Sequence, residues 1–256
     1  MYRIVICGPV VSGKTVLANT LLGNSMNTYY RITSELGVAH RMVYGTSQDF
    51  KIYPSKDAAA MVLEILRIDK HSQDTFYQKI YNGYRGYKLN DIAFIQTEHS
   101  SELLDAGVEI TEMPSHINKQ NRQFIYESIY DADLIICCIN LDHFQSQGSN
   151  DYIREIFNQV RKSDSFTLFA VTHCYLDDRE VNVERWKEIR AQISSELHSL
   201  YSHFDDSQLF FVYLGPYSTK MGSSNAEIID DNRVLNLKVA IWRQIARTYY
   251  RRIGNH

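Results

Sequence analysis

Short apolar blocks alternate with helix-spaced segments along most of this chain. Tyr2-Arg-Ile-Val-Ile-Cys7 reads as a buried strand. Residues 14–22 place Val16, Leu17 and Leu21 on one helical face, with Thr20 beside them. A polar stretch rich in Asn, Ser and Tyr runs from Gly23 to Ile32. Residues 37–44 and 48–53 flank Gly45-Thr46-Ser47 and predict a hairpin. Pro54-Ser55-Lys56 opens a predicted helix that reaches about Asp69, and 73–82 predicts another. Further strands are expected at 91–96, 107–111, 134–140, 166–172 and 209–214. Helices are expected at 119–130, 150–162, 183–201 and 233–252. The run Leu134–Asn140 is almost wholly apolar, as in a strand covered on both faces.

This βα alternation predicts an α/β fold, with a mostly parallel central sheet and helices on both faces. No internal repeat is visible. Residues 215–232 read as a long polar loop before the last helix, so one domain is expected over 1–256. A helical elaboration is expected at about 55–106.

The chemistry enters between the first strand and the first helix. Gly8-Pro9-Val10-Val11-Ser12-Gly13-Lys14-Thr15 matches G-x-x-x-x-G-K-[ST] in full, with a strand before it and a helix after it. The glycines let the loop curl so that the backbone N–H groups of Gly8, Val10, Val11, Ser12 and Gly13 can face phosphate oxygens. The helix start adds its positive dipole end. Lys14 can reach the β- and γ-phosphates, and the Thr15 hydroxyl suits Mg²⁺, a hard cation that takes oxygen ligands.

By motif order and strand spacing, nearly the whole chain resembles the Ras-like P-loop GTPases, in particular translation-factor and dynamin-type G domains. Gly13-Lys-Thr-Val-Leu-Ala-Asn-Thr-Leu-Leu-Gly23 is very similar to their P-loop helix. The resemblance implies a Mg²⁺-binding switch I threonine at Thr33, with Ser34 as the alternative. It aligns Glu112-Met-Pro-Ser115 with the family's Asp-x-x-Gly, so that Glu112 stands for the metal-binding Asp and Ser115 for the Gly. His116 then falls on the residue that positions the attacking water. The base-recognition motif Asn/Thr-Lys-x-Asp falls on Thr172, His173 and Tyr175. Tyr175 lacks the bidentate carboxylate that reads guanine, and Asp177 lies two residues further on. Leu214-Gly-Pro-Tyr-Ser218 carries no recognisable Ser-Ala-Lys. The implied ligands are therefore Mg²⁺ with GTP or ATP.

Composition narrows the partners. Lys plus Arg is 27 and Asp plus Glu is 30, a net charge of −3, so there is no strong nucleic-acid signal. Apolar runs fall far short of the ~20 residues that span a bilayer. The N-terminus enters a strand at once, with no signal peptide expected. The four cysteines form no Cys-x-x-Cys pair, and a reduced, cytoplasmic protein is expected. Arg243, Arg247, Arg251 and Arg252 make the last helix basic, which suits an anionic membrane or partner, although a terminal helix with a solvated face gives the same pattern.

The expected function is a nucleotide-binding switch with slow or partner-dependent hydrolysis that regulates a protein effector or assembly. Arg31 or Arg41 could supply an arginine in cis. One alternative is a catalytically inactive, GTPase-like interaction subunit. Another is a small P-loop kinase, with Arg179, Arg185 or Arg190 on a lid.

Overall fold

The computed structural model describes residues 1–23, 37–46, 49–54, 65–67, 92–117, 121–144, 146–172, 183–212 and 226–254. Nine strands form one sheet among these residues: β1 (Tyr2–Cys7), β2 (Ala39–Tyr44), β3 (Asp49–Pro54), β4 (Ile65–Arg67), β5 (Ile92–His99), β6 (Val108–Glu112), β7 (Leu134–Asn140), β8 (Phe166–Thr172) and β9 (Leu209–Phe211). Their order is β4-β3-β5-β2-β6-β1-β7-β8-β9. The run β6-β1-β7-β8-β9 is parallel throughout. Every residue of β7 is buried, as expected for a central strand with helices over both faces.

Six α-helices are described: α1 (Lys14–Leu21), α2 (Glu102–Asp105), α3 (Arg122–Tyr130), α4 (Gln147–Val160), α5 (Val183–Leu200) and α6 (Ala226–Gly254). Because side chains alternate along a strand, the sheet supports two cores. On one face Ile4, Ile6, Ile110, Leu134 and Ile136 pack with Leu17 and Leu21 of α1 and with Leu237, Ile241 and Ile245 of α6. On the other, Val5, Cys7, Ile135, Cys137 and Phe169 pack with α3, α4 and α5 through Ile125, Ile156 and Leu197.

The expected α/β fold is the one observed, but two local expectations give way. The segments 37–44 and 48–53 do not form a hairpin, because β5 lies between β2 and β3. Gly45 N–H donates to the His99 carbonyl at 3.2 Å, so the chain leaves β2 along the end of β5 and then pairs with the far side of that strand. Tyr53 stacks on Phe94 with ring centres 4.3 Å apart, a packing partner that a local turn signal cannot report. Within the predicted helix of 54–69, Ile65–Arg67 is instead strand β4, antiparallel to β3. An edge strand of three residues has too short a pattern to compete with a helical reading. The short helix α2 falls inside the span 55–106 read as a helical elaboration; Ser101 caps it by accepting the Leu104 N–H at 3.3 Å.

Candidate functional site

Four parallel strands end on one side of the sheet, and a polar residue or a glycine follows each apolar run there. β1 leads into Gly8, β6 ends at Glu112, β7 at Asn140 and β8 at Thr172. The carboxyl ends of strands in an open α/β sheet are where ligands bind. The loop 8–13 connects β1 to α1 at this edge.

Backbone conformation explains the glycines. Gly13 has φ 75° and serves as the N-cap of α1 with no side-chain cap. A Cβ on Gly13 would also come within 3.2 Å of the Thr172 side chain. Gly8 has φ 155°, and a Cβ there would approach the Cys138 carbonyl to 2.6 Å. Val11 adopts φ 58°, an unusual conformation for a β-branched residue. Val10 and Val11 are exposed at the tip of the loop.

Neighbouring strands hold this loop. The Asn140 amide donates to the Val11 carbonyl at 2.8 Å. The Thr172 hydroxyl donates to the Ser12 carbonyl at 2.9 Å. The Tyr152 hydroxyl, on α4, accepts the Gly8 N–H at 3.4 Å and donates to the Pro114 carbonyl at 3.2 Å. Tyr152 thus touches both the loop after β1 and the loop after β6. Burial raises its phenol pKa well above the ordinary value, so it stays protonated.

Lys14 and Thr15 face the loop after β6. The Lys14 ammonium donates to the Gly8 carbonyl at 3.0 Å, the Pro9 carbonyl at 2.9 Å and the Ser115 hydroxyl at 2.7 Å. Its side chain is 5% exposed, and burial lowers its pKa while Glu112 opposes that shift. The Thr15 hydroxyl donates to Glu112 Oε1 at 2.5 Å. These are neighbouring hard oxygen donors, the chemistry that Mg²⁺ takes. The arrangement therefore fits the metal and an anion together: two oxygens beside a buried ammonium, at a helix start with no side-chain cap.

The sequence-derived candidates separate into groups. Gly8, Val10, Val11, Ser12, Gly13, Lys14, Thr15, Glu112 and Thr172 converge at this edge. His116 lies on the same loop, exposed, with its carbonyl accepting from the Asn121 amide at 2.9 Å. Thr33, Ser34, His173, Tyr175 and Asp177 lie outside the described residues, as does Arg31. Arg41 sits on β2 with its Nε 3.4 Å from Glu109 Oε1 and its guanidinium 4.0 Å from the centre of the Phe94 ring.

Sequence reasoning missed Asn140 and Tyr152. Asn140 had a signal, a polar residue that closes an apolar strand at the ligand-binding end. Tyr152 had none, since it reads as one more apolar position of its helix. Also missed was a buried polar chain beside the site. His40 Nε2 lies 2.7 Å from Thr97 Oγ1, which lies 2.7 Å from His99 Nε2. His40 is the cross-strand partner of Glu112.

No family model matches this chain, and no curated protein matches it by sequence. Two solved structures of an oligomerised bacterial dynamin pair, described as providing a mechanism for long-range sensing and tethering of membranes, superpose on it. Their TM-scores are 0.66 and 0.61, each at 16% identity over 96% of this chain. The chain spans 38% of the length of either solved protein. With its strand–loop–helix motif and its mostly parallel sheet, the chain has an α/β fold that fits a P-loop NTPase and is similar to these solved structures.

Proposed function

We propose that this protein is a nucleotide-binding switch that takes GTP or ATP with Mg²⁺ at Gly8–Thr15 and passes the state of that site to a protein partner. The observation that carries the reading is the pair of contacts from α1 to the loop after β6, Lys14 to Ser115 and Thr15 to Glu112. A triphosphate would compete for the Lys14 ammonium, and Mg²⁺ would compete for the Thr15 and Glu112 oxygens. Binding would then rearrange residues 112–116 and, by the family resemblance, the Thr33 segment. Such ordering of two loops is a known switching device.

The chain's own groups have separable roles in this reading. Backbone N–H groups of 10–13 and the start of α1 hold phosphate oxygens. Lys14 neutralises developing charge. Thr15, Glu112 and Thr33 would hold Mg²⁺, which would supply positive charge beside the phosphates. His116 would orient the attacking water. Thr172, His173 and Tyr175 would border the base, with weak guanine selectivity because Tyr175 supplies no carboxylate. A partner assembly fits the similarity to dynamin pairs.

Hydrolysis by the isolated chain should be slow, on the order of 10⁻⁴–10⁻² s⁻¹, since the loop 8–13 carries no arginine to stabilise transition-state charge. Single-turnover assays on wild type and His116→Ala test this. The expected result is a slower rate in the variant at nearly unchanged nucleotide affinity. Rapid turnover by the isolated wild type would refute the reading.

A further inference from the structure

At the end of the sheet away from β4, a groove of about 900 Å³ lies along β9 between α5 and α6. That volume is typical of a small-molecule site. Its floor is apolar, formed by Phe166, Leu168 and Phe210. Leu168 is buried, and Phe166 and Phe210 are half-buried.

The walls are basic. Arg243 and Arg247 line one side, four residues apart on α6 and therefore neighbours on a single helical face. Both are exposed, and neither makes a hydrogen bond or ion pair to another described residue. Like charges at this spacing repel each other, so the pair is relieved by an anion. Arg190 faces them from α5; one of its nitrogens donates to the Asp206 carbonyl at 2.9 Å, and its guanidinium lies 5.9 Å from the centre of the Phe211 ring. Lys187 adds a fourth cation. Among the described residues of the lining the one carboxylate is Asp206, which accepts from the Ser194 hydroxyl at 2.5 Å.

The geometry points to a second ligand site here, for a single amphipathic oxyanion with its phosphate or carboxylate head on Arg243, Arg247 and Arg190 and its apolar body along Phe166, Leu168 and Phe210. Guanidinium forks match the oxygens of such heads, and several together favour a phosphate. A groove flanked by two helices suits one molecule lying in it and not the flat face of a bilayer. This site shares no residue with Gly8–Thr15 and does not depend on the nucleotide reading.

Isothermal titration of the full chain with dodecyl phosphate below its micelle concentration tests the proposal. Inorganic phosphate and dodecyl maltoside serve as head-only and tail-only controls. The expected result is binding of dodecyl phosphate that exceeds either control. Arg243→Glu with Arg247→Glu should weaken it about tenfold or more while nucleotide affinity and circular dichroism stay unchanged. Lys14→Ala should bind it as wild type does, which separates this groove from the loop 8–13. Equal binding by the double variant, equal binding of inorganic phosphate, or loss in Lys14→Ala would each overturn the proposal. So would binding to phosphatidic acid vesicles without binding of the monomer.

Discussion

The two halves of the sheet are built on different principles. From β6 to β9 the strands are parallel and mostly aliphatic, with Glu109, Thr111 and Glu112 buried on β6 and Asn140 and Thr172 at the carboxyl ends, where the candidate site lies. From β2 to β4 the strands run in mixed directions and bury polar side chains. His40, Thr97 and His99 form a hydrogen-bonded chain there, and Lys51 meets Glu98 at 2.6 Å. Both halves rest on apolar burial; the first sets most of its buried polar groups on β6 and at the candidate site, whereas the second strings His40, Thr97 and His99 through the sheet. The first half holds the loop 8–13 as a frame on the carboxyl ends of its parallel strands. The other half is joined to that frame through the β2·β6 pair, where His40 faces Glu112.

The largest effect of a single substitution on stability should follow from opening the parallel half. Phe169 is fully buried and meets Phe157 and Phe204 edge-on. Phe169→Ala should cost about 3–5 kcal/mol, checked by urea denaturation. A loss below about 1 kcal/mol would mean that this core tolerates collapse and would erase the contrast.

Acid should act on the mixed half. Burial holds His40 at a pKa of about 3, lowered further by His99, and burial holds His99 at about 4, against an ordinary 6.5. Both are neutral in the folded protein at neutral pH, while the unfolded chain gains their protons near 6.5. Stability from this pair is therefore complete above pH 6.5 and falls as the pH drops toward 4. The limiting slope is about 1.4 kcal/mol per pH unit for each histidine. Denaturation at several pH values should show that decline, and His99→Gln should flatten it. An unchanged slope in the variant would place the acid sensitivity elsewhere.

A smaller effect should come from the link between the two loops. Tyr152→Phe removes the hydroxyl shared by Gly8 and Pro114, leaving a buried N–H and C=O without that partner. The expected loss is about 1–3 kcal/mol, with hydrogen exchange rising at Gly8. Unchanged exchange there would show that the hydroxyl does not hold the loop. The smallest effect belongs to the partly exposed Lys51–Glu98 pair in the mixed half. Lys51→Ala should cost at most about 1 kcal/mol and less in high salt.

The same contrast governs what was legible in the sequence. The parallel strands announce themselves because coverage on both faces demands continuous apolar runs, as in Leu134–Asn140. The loop 8–15 was legible because phosphate binding requires its glycines, Lys14 and Thr15 at fixed spacing. β2 and β3 were misread as a hairpin because two neighbouring strand patterns with a glycine between them carry no trace of a third strand from residues 92–99. β4 was too short to show a period of two. Asn140 and Tyr152 act through hydrogen bonds to backbone groups, and such bonds leave no motif. Glu112 was placed by family resemblance alone; its position beside Thr15 is a property of the β1·β6 register.

The central claim is that the frame at Gly8–Thr15 binds a nucleoside triphosphate. The direct measurement is titration of the wild type and Lys14→Ala with fluorescent GTP and ATP analogues in Mg²⁺, alongside circular dichroism of both proteins. Wild type should bind both nucleotides with a preference for GTP below about 10². The folded variant should lose at least about 30-fold in affinity, the low end for truncating a buried charged partner. Failure of the wild type to bind either nucleotide, or equal affinity in Lys14→Ala, would contradict the claim.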